Sequence, residues 1–268
     1  MSRTTEEIRP VPGTQPDGIR DEAEAARRVR EMFTRIAPRY DFLNHIISFR
    51  TDVIWRRRVA VRFAGILARP DARVLDLCCG TGDLAFALER SARRGPEQGT
   101  GHGNAGGAQI YGADFAHPML VRARQKAAAM GSDAAFVEAD AMRLPLSDAS
   151  VDLVTSAFGF RNLANYSRGL EEIYRVLRPG GEAGILEFPD SRSVALGGLY
   201  RFYFRHILPV IGGAISGSRE AYKYLPASVD RFPSSEKMTA MMQECGFQDV
   251  RIEQWTFGVV SLFRARKA

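Results

Sequence analysis

The sequence predicts a doubly wound α/β fold on a mostly parallel, seven-stranded sheet. Three observations carry this expectation: short apolar runs alternate with helical segments, a glycine loop follows the first run, and an aspartate marks the tip of each of the first three. Residues 1–19 read as a loose polar tail and 20–268 as one domain. N-terminal helices occupy 20–68: a charged stretch, DEAEAARRVREMF, then a helix from about Asp52 to Leu67 with Trp55, Val59 and Phe63 on one face. The core, 69–190, opens with the buried-strand run Arg73–Cys78, the loop Gly80-Thr-Gly82 and a helix from Leu84 to Ala92, the start of a βαβ unit. Gln109–Ala113 leads to Asp114 and to a helix, Pro118–Met130, stopped by Gly131. Ala134–Glu138 precedes Asp140, and Val151–Thr155 is a fourth strand. A helix over Leu170–Leu177 halts at Arg178-Pro-Gly-Gly181 before a fifth strand, Glu182–Phe188. An excursion over 191–233 follows. The segment 234–268 supplies a helix from Ser235 to Cys245 and two β-rich stretches, Phe247–Ile252 and Thr256–Phe263. Between 91 and 108 the low-complexity run SARRGPEQGTGHGNAGGA reads as a flexible surface loop that lengthens the first crossover.

Composition bounds the function. With 268 residues, 45% hydrophobic and 25% charged, the chain is neither a disordered tail, a disulfide-stapled miniprotein nor a coiled coil. A net charge of +6 suits an anionic surface of any kind. Cys78 and Cys79 are adjacent and Cys245 stands alone, so a reducing compartment is expected. The first twenty residues hold three prolines and no apolar run, and the most apolar later stretch, Val194–Ile215, is interrupted by Arg201, Arg205, His206 and Pro209. A cytoplasmic protein is the expectation. His45, His102, His117 and His206 show no metal-ligand spacing, so no metal is expected.

The glycine loop, with Ala85 three residues on, satisfies a relaxed dinucleotide fingerprint. Asp76 before it and Asp83 after it argue against a diphosphate, which two carboxylates at a helix N-terminus would repel. S-adenosylmethionine carries a sulfonium and an ammonium and no phosphate, so acids there become favourable. In that reading Asp76, Gly80 and Gly82 cradle the methyl donor. Asp114 accepts the ribose hydroxyls, Asp140 accepts the adenine amino group, and the backbone at Ala141 lies beside the ring. The competing reading of each aspartate is a helix cap.

Motifs beyond the loop narrow the expectation. Tyr40-Asp41-x-x-Asn44 with Ser48 and Trp55, Phe158-Gly-Phe-Arg161-Asn162, Arg175-Val-Leu-Arg-Pro-Gly-Gly181 ending in Leu186-Glu187-Phe188, and Ser218-Arg-Glu-Ala-Tyr222-Lys-Tyr224-Leu-Pro226 with Phe232-Pro233 occur in that order. From about Val29 to the C-terminus the chain resembles the ubiquinone/menaquinone biosynthesis C-methyltransferase family. It departs from the family pattern at Asp52, Pro189, Ala157 and Phe263, and Ser156 stands beside Ala157, where the family often has a cofactor-binding serine. The resemblance implies a class I, Rossmann-like methyltransferase with a helical substrate-side insertion. It implies methyl transfer from S-adenosylmethionine to a ring carbon of a polyprenyl quinol, with Thr81, Asp114, Asp140 and Ala141 among the cofactor residues.

Such chemistry requires a phenol to lose its proton beside an in-line methyl group, away from water. Arg161 is then the candidate to steady a phenolate, or it pairs with an acid near the fourth strand tip. Asn162 could orient a hydroxyl. Tyr40, Asp41, Tyr222 and Tyr224 are candidates for the substrate mouth or a proton relay; their other readings are packing for the two later tyrosines and a helix cap for Asp41. The 191–233 excursion, with Leu199, Phe202, Tyr203, Phe204 and Ile207 among Arg201 and Arg205, suits either an apolar groove at a membrane surface or an amphipathic helix covering the sheet. Asp76-Leu-Cys-Cys-Gly80 and Thr256-Phe-Gly258 resemble the menaquinone-dedicated branch of the family, which implies demethylmenaquinol rather than 2-methoxy-6-polyprenyl-1,4-benzoquinol, or both, as substrate. Peripheral membrane contact is expected, and a homodimer or a quinone-synthesis complex is compatible with this reading. Rival classes are an RNA methyltransferase, prompted by the basic charge but without an Asn-Pro-Pro-Tyr loop or Pro-Cys nucleophile, and a non-catalytic partner in quinone synthesis. No nucleic-acid partner is expected.

Overall fold

A computed structural model describes residues 13–19, 21–37, 50–94, 107–188 and 219–268. Its seven-stranded sheet has the order β3-β2-β1-β4-β5-β7-β6. The strands are β1 (Arg73–Leu77), β2 (Gln109–Asp114), β3 (Ala135–Glu138), β4 (Val151–Ala157), β5 (Leu177–Glu187), β6 (Phe247–Trp255) and β7 (Val260–Lys267). β1 to β5 run parallel, and β7 inserts antiparallel between β5 and β6. The order reverses between β1 and β4, which opens a crevice at the carboxyl ends of those strands.

The helices are α1 (Glu22–Ile36), α2 (Thr51–Arg62), α3 (Asp83–Ala92), α4 (His117–Met130), α5 (Tyr166–Val176), α6 (Arg219–Arg231) and α7 (Ser235–Glu244). They cover both sheet faces, as apolar strands buried on two sides require. One core layer packs Trp55 and Val59 of α2, Phe63 just after it, and Leu84 and Leu88 of α3 against the sheet. The other packs Leu170 and Ile173 of α5 and Met238 and Met242 of α7. Side chains at Leu75 and Leu77 face one layer and Val74 the other, the alternation a pleated strand dictates.

Several elements differ from the expectation. The predicted 52–67 helix breaks at Phe63, with a separate turn over Ala64–Leu67. The Phe63 ring approaches β5 where Gly184 leaves room; a Cβ there would come within 2.5 Å of it. β5 starts at Leu177, before the predicted Glu182, because the register against β4 shifts between Val151 and Leu153 and lets Arg178–Gly181 bulge out. β6 runs three residues longer than expected, as a half-exposed edge strand that carries polar residues, and β7 lies four residues later than the expected Thr256–Phe263, mostly buried between β5 and β6. The residues 13–19, read as part of a loose tail, are docked: Thr14 is buried and its amide donates to the Leu163 carbonyl at 2.8 Å. The ends of the glycine-rich insert are also packed, with Ala108 buried and its amide on the Leu67 carbonyl. Residues 95–106 of that insert and 189–218 of the excursion lie outside the described residues. α6 forms the described remainder of the excursion.

Candidate active site

The crevice at the β1–β4 switch point is built by a chain that must turn abruptly. Leaving β1, Cys78 adopts φ +54°, and Gly82 caps α3 at φ +87°. A left-handed conformation costs a non-glycine residue of order 1–3 kcal/mol and persists where surroundings enforce it. Here they do: the Cys79 amide donates to the Ala113 carbonyl, and the Gly82 amide to that of Cys79.

Two aspartates anchor this turn. Asp76, fully buried, accepts from the Ala85 amide at 3.0 Å and from the Thr155 hydroxyl at 3.1 Å. Burial dominates both bonds and pushes its carboxyl up from 3.8 to about 7. Asp114 accepts from the Gly80 amide at 2.9 Å with one oxygen and from the Ala116 amide at 2.9 Å with the other. Burial raises its pKa as well, opposed by those amides.

These bonds supply a different reason for rejecting a diphosphate than charge repulsion. The Gly80 and Ala85 amides, which would grip a phosphate, are already taken by carboxylates. Asp83, counted as a repelling charge, is neutralised. Lys126 of α4 reaches across to it and to the Thr81 hydroxyl (3.1 Å), and Arg56 lies 3.7 Å away.

Two contiguous cavities follow the turn. The larger, about 670 Å³, is lined by Asp114, Phe115, Asp140, Ala141 and Met142 on the β2–β3 side, by Phe33 and Ala26 of α1, and by Phe158, Gly159 and Asn162 beyond β4. The smaller, about 320 Å³, holds Arg56, Asp76, Thr81, Asp83 and Ala157. Cys78 and Gly80 line both and mark the junction. Asp140 is exposed, accepts from the Met142 amide at 2.9 Å with one oxygen, and lines the larger cavity beside Ala141 and Met142. Asp140 and Asp114 line the larger cavity and Asp76 the smaller, so acids stand on both sides of the junction at Gly80. The residues present fit S-adenosylmethionine.

Ser156 differs. It sits on β4 with its hydroxyl buried and unpartnered, and it lines neither cavity. Phe158 turns the chain at φ +61° and stacks on Phe188, with ring centroids 4.7 Å apart, while Trp55 packs against both. Gly159 allows this close approach, since a Cβ would come within 2.4 Å of the Cys78 Cβ.

Arg161 takes the second of its two expected arrangements. It is buried, its guanidinium is 2.9 Å from Glu187, and it also holds the Phe158 carbonyl. Its own amide donates to the other Glu187 oxygen at 3.0 Å. It lines neither cavity. Asn162, next to it, does face the large cavity. The Tyr224 hydroxyl donates to Asn162 Oδ1 at 3.1 Å and lies 2.8 Å from the Thr14 hydroxyl. Since the single Tyr224 proton goes to Asn162, Thr14 donates to Tyr224. Burial pushes the Tyr224 phenol up to about 12, so it stays protonated at neutral pH. Tyr40, Asp41 and the Tyr222 side chain fall outside what the structure describes.

Sequence reasoning missed several wall residues. Phe33 and Ala26 come from a helix far in sequence from the loop, and Met142 follows Asp140 without a motif. Thr14 had no signal at all. Phe158 and Cys78 stood inside quoted motifs and were given no wall role. Among the described residues no cluster of His, Cys, Asp or Glu is arranged to hold a metal, and no helix is long and apolar enough to cross a membrane.

Comparison with known proteins decides the family. The model of the ubiE/COQ5 methyltransferase family matches residues 21–267. The chain belongs to that family. Among its relatives is the demethylmenaquinone methyltransferase of Thermus thermophilus, 50% identical over 86% of this chain and 97% of that one. The protein of the same name from Deinococcus radiodurans is 45% identical over 91% and 95%. The ubiquinone/menaquinone biosynthesis C-methyltransferase UbiE of Geotalea daltonii is 41% identical over 91% and 98%. Solved structures share the fold at low identity. A methyltransferase from Thermotoga maritima has TM-score 0.62 at 18% identity, covering 90% of this chain and 100% of that one. The [4+2]-cyclase SpnF has TM-score 0.61 at 18%, covering 97% and 99%. A cyclase with this architecture shows why membership of the ubiE/COQ5 family, not the fold, fixes the chemistry as methyl transfer.

Proposed function

We propose that this ubiE/COQ5-family methyltransferase transfers the methyl group of S-adenosylmethionine to a ring carbon of demethylmenaquinol, giving menaquinol. The observation that carries the reading is the junction at Cys78 and Gly80. There an acid-lined trough opens on an apolar slot walled by Phe158 and ended by Asn162. Relatives named demethylmenaquinone methyltransferase at 50% and 45% identity support the naphthoquinol. The relative at 41%, whose name includes ubiquinone, supports a second reading, methylation of 2-methoxy-6-polyprenyl-1,4-benzoquinol.

The bound donor supplies a methyl group on a positively charged sulfur. The chain does the rest. Asp114 takes the ribose hydroxyls with the lone pairs its two amide bonds leave free, Asp140 takes the adenine amine, and Asp76 faces the sulfonium end. Phe33 and Phe158 exclude water, which strengthens each of these contacts. Tyr224, neutral and donating to Oδ1, orients the Asn162 amide so that it can position a quinol hydroxyl. Arg161 is a positioning residue in this reading: through the Phe158 carbonyl and Glu187 it fixes the loop that carries Phe158 and Asn162. The substrate mouth is assigned to Tyr40, Asp41 and Tyr222 on their motifs alone. A polyprenyl quinol resides in lipid, so the chain works in peripheral contact with a membrane.

The test is incubation with labelled S-adenosylmethionine and, in parallel, demethylmenaquinol or 2-methoxy-6-polyprenyl-1,4-benzoquinol, each kept reduced by dithionite. Label in the naphthoquinone ring is expected; label only in the benzoquinol would favour the second reading, and none in either would sink both. In calorimetry, Asp114→Ala should weaken donor binding by about 2–3 kcal/mol, the loss of charged hydrogen bonds.

A further inference from the structure

We infer that the outer face of α2 and the β6–β7 turn together bind a lipid surface bearing anionic headgroups. This names the face that would make the membrane contact of the proposed function, and it rests on that reading for why the contact is needed.

The side of α2 away from its buried Trp55 and Val59 carries Ile54, Arg57, Arg58, Val61 and Arg62, at i, i+3, i+4, i+7 and i+8. A water-facing helix side is ordinarily polar, yet Ile54 is 53% and Val61 70% exposed. No acid shares this face of α2. Arg62 is paired with Glu253 of β6, whereas Arg57 and Arg58 make no ion pair among the described residues. Arg58 lies over the Trp255 ring, so an open groove of Ile54, Arg57, Arg58, Val61 and Trp255 runs between α2 and β6. Beside it on α3, the pKa of Arg90 is lowered by burial and by the positive charges of Arg57 and Arg94.

The neighbouring turn holds an aromatic ring out into solvent. Thr256 and Phe257 adopt φ +54° and +58° before Gly258 at +86°, and Phe257 is 76% exposed. Left-handed backbone at a β-branched threonine is costly. It is held by the Trp55 indole, which donates to the Thr256 hydroxyl at 2.8 Å, and by the Gly258 amide on the Trp255 carbonyl. The same Trp55 packs on Phe158 of the cavity wall.

Position agrees with composition. Glu187, ending β5, pairs with Ser261, beginning β7. The turn before β7 therefore lies at the carboxyl end of the parallel strands, the end that holds the crevice. A surface facing lipid there would bring the crevice close to a substrate dissolved in the bilayer. Unpaired arginines match anionic headgroups, and protruding Ile54, Val61 and Phe257 gain only where there is an acyl region to enter. Nucleic acid would reward the arginines and leave the apolar side chains without a partner. A second copy on the same face would set arginine against arginine.

The test is flotation of the full chain, without donor or quinol, on phosphatidylcholine vesicles with and without phosphatidylglycerol. Binding is expected only to the anionic vesicles and should weaken with salt. Neutralising each arginine, in Arg57→Gln and Arg58→Gln, should lower the partition roughly fivefold; Phe257→Ser and Val61→Ser should also lower it, while donor affinity by calorimetry stays unchanged in all four. The inference is overturned if the wild type ignores anionic vesicles, if these variants float like it, or if the arginine variants lose affinity for duplex DNA while Phe257→Ser floats unchanged. Methylation of a detergent-dispersed, short-tailed quinol reads the proposed function separately, so loss of that activity with flotation intact would sink the chemistry and leave the surface standing.

Discussion

The two walls of the crevice are held in opposite ways. On the donor side, Asp76 and Asp114 take their bonds largely from backbone amides, those of Ala85, Gly80 and Ala116. On the substrate side, side chains hold side chains: Arg161 with Glu187, Asn162 with Tyr224, and Tyr224 with Thr14. A site made from amides at strand tips depends on the fold and on one acid at a time. A site made from side-chain pairs fails when either member changes, because the other is left buried without its partner.

The sharpest way to break the comparison is at Glu187. It is fully buried and serves both the Arg161 guanidinium and the Arg161 amide. Glu187→Ala should cost about 3–5 kcal/mol in denaturant unfolding, because a guanidinium remains buried without its counter-charge. The double variant Glu187→Met with Arg161→Met should lose less than Glu187→Ala alone. If the single variant loses under 1 kcal/mol, the pair is not what holds the Phe158–Asn162 loop.

This contrast also sets what was legible in the sequence. The donor wall could be read because Asp76, Gly80 and Asp114 each follow an apolar run, and the pleat and the glycine loop bring such tips together without further information. Even so, the inference that Asp83 repels a diphosphate failed, since the charge that neutralises it comes from Lys126, 43 residues away. The substrate wall was legible only as motifs. Arg161 and Asn162 are adjacent in sequence, yet one faces Glu187 and the other the cavity, and no periodicity in a 3₁₀ turn over Phe160–Asn162 separates them. Thr14 lies 210 residues from Tyr224, inside a stretch whose prolines and polar residues read as a tail.

A smaller effect, of opposite sign for stability and binding, is expected at Asp76. Its carboxyl is raised from 3.8 to about 7, mainly by burial. The folded chain therefore keeps a proton that the unfolded chain releases, and the contribution of this group to stability is full below pH 4 and declines as pH rises to about 7. Asp76→Asn should abolish that decline and stabilise the donor-free protein by about 1–3 kcal/mol above pH 7, as removal of a buried charge does. Its affinity for S-adenosylmethionine should fall more than that for the uncharged product S-adenosylhomocysteine, and donor binding to the wild type near pH 7 should release protons. Thermal unfolding against pH and calorimetry in two buffers of different ionisation enthalpy measure both. Equal losses for donor and product would remove Asp76 from any role towards the sulfonium.

The smallest change tests whether the far side of the substrate wall reaches the chemistry. Thr14 is buried, its amide is fixed on Leu163, and its hydroxyl donates to Tyr224, which in turn donates to Asn162. Thr14→Val keeps the shape and removes one donor, so stability should fall by about 0.5–1.5 kcal/mol. With its acceptor side empty, the Tyr224 hydroxyl is freer to leave Asn162, and the amide loses the bond that sets its orientation. Turnover should therefore drop several-fold while donor affinity is unchanged, and Thr14→Ser should restore it. A purely structural Thr14 would lower stability and leave turnover per folded molecule untouched. That result would confine the substrate wall to Phe158 and Asn162 and make the docked N-terminal segment a matter of packing alone.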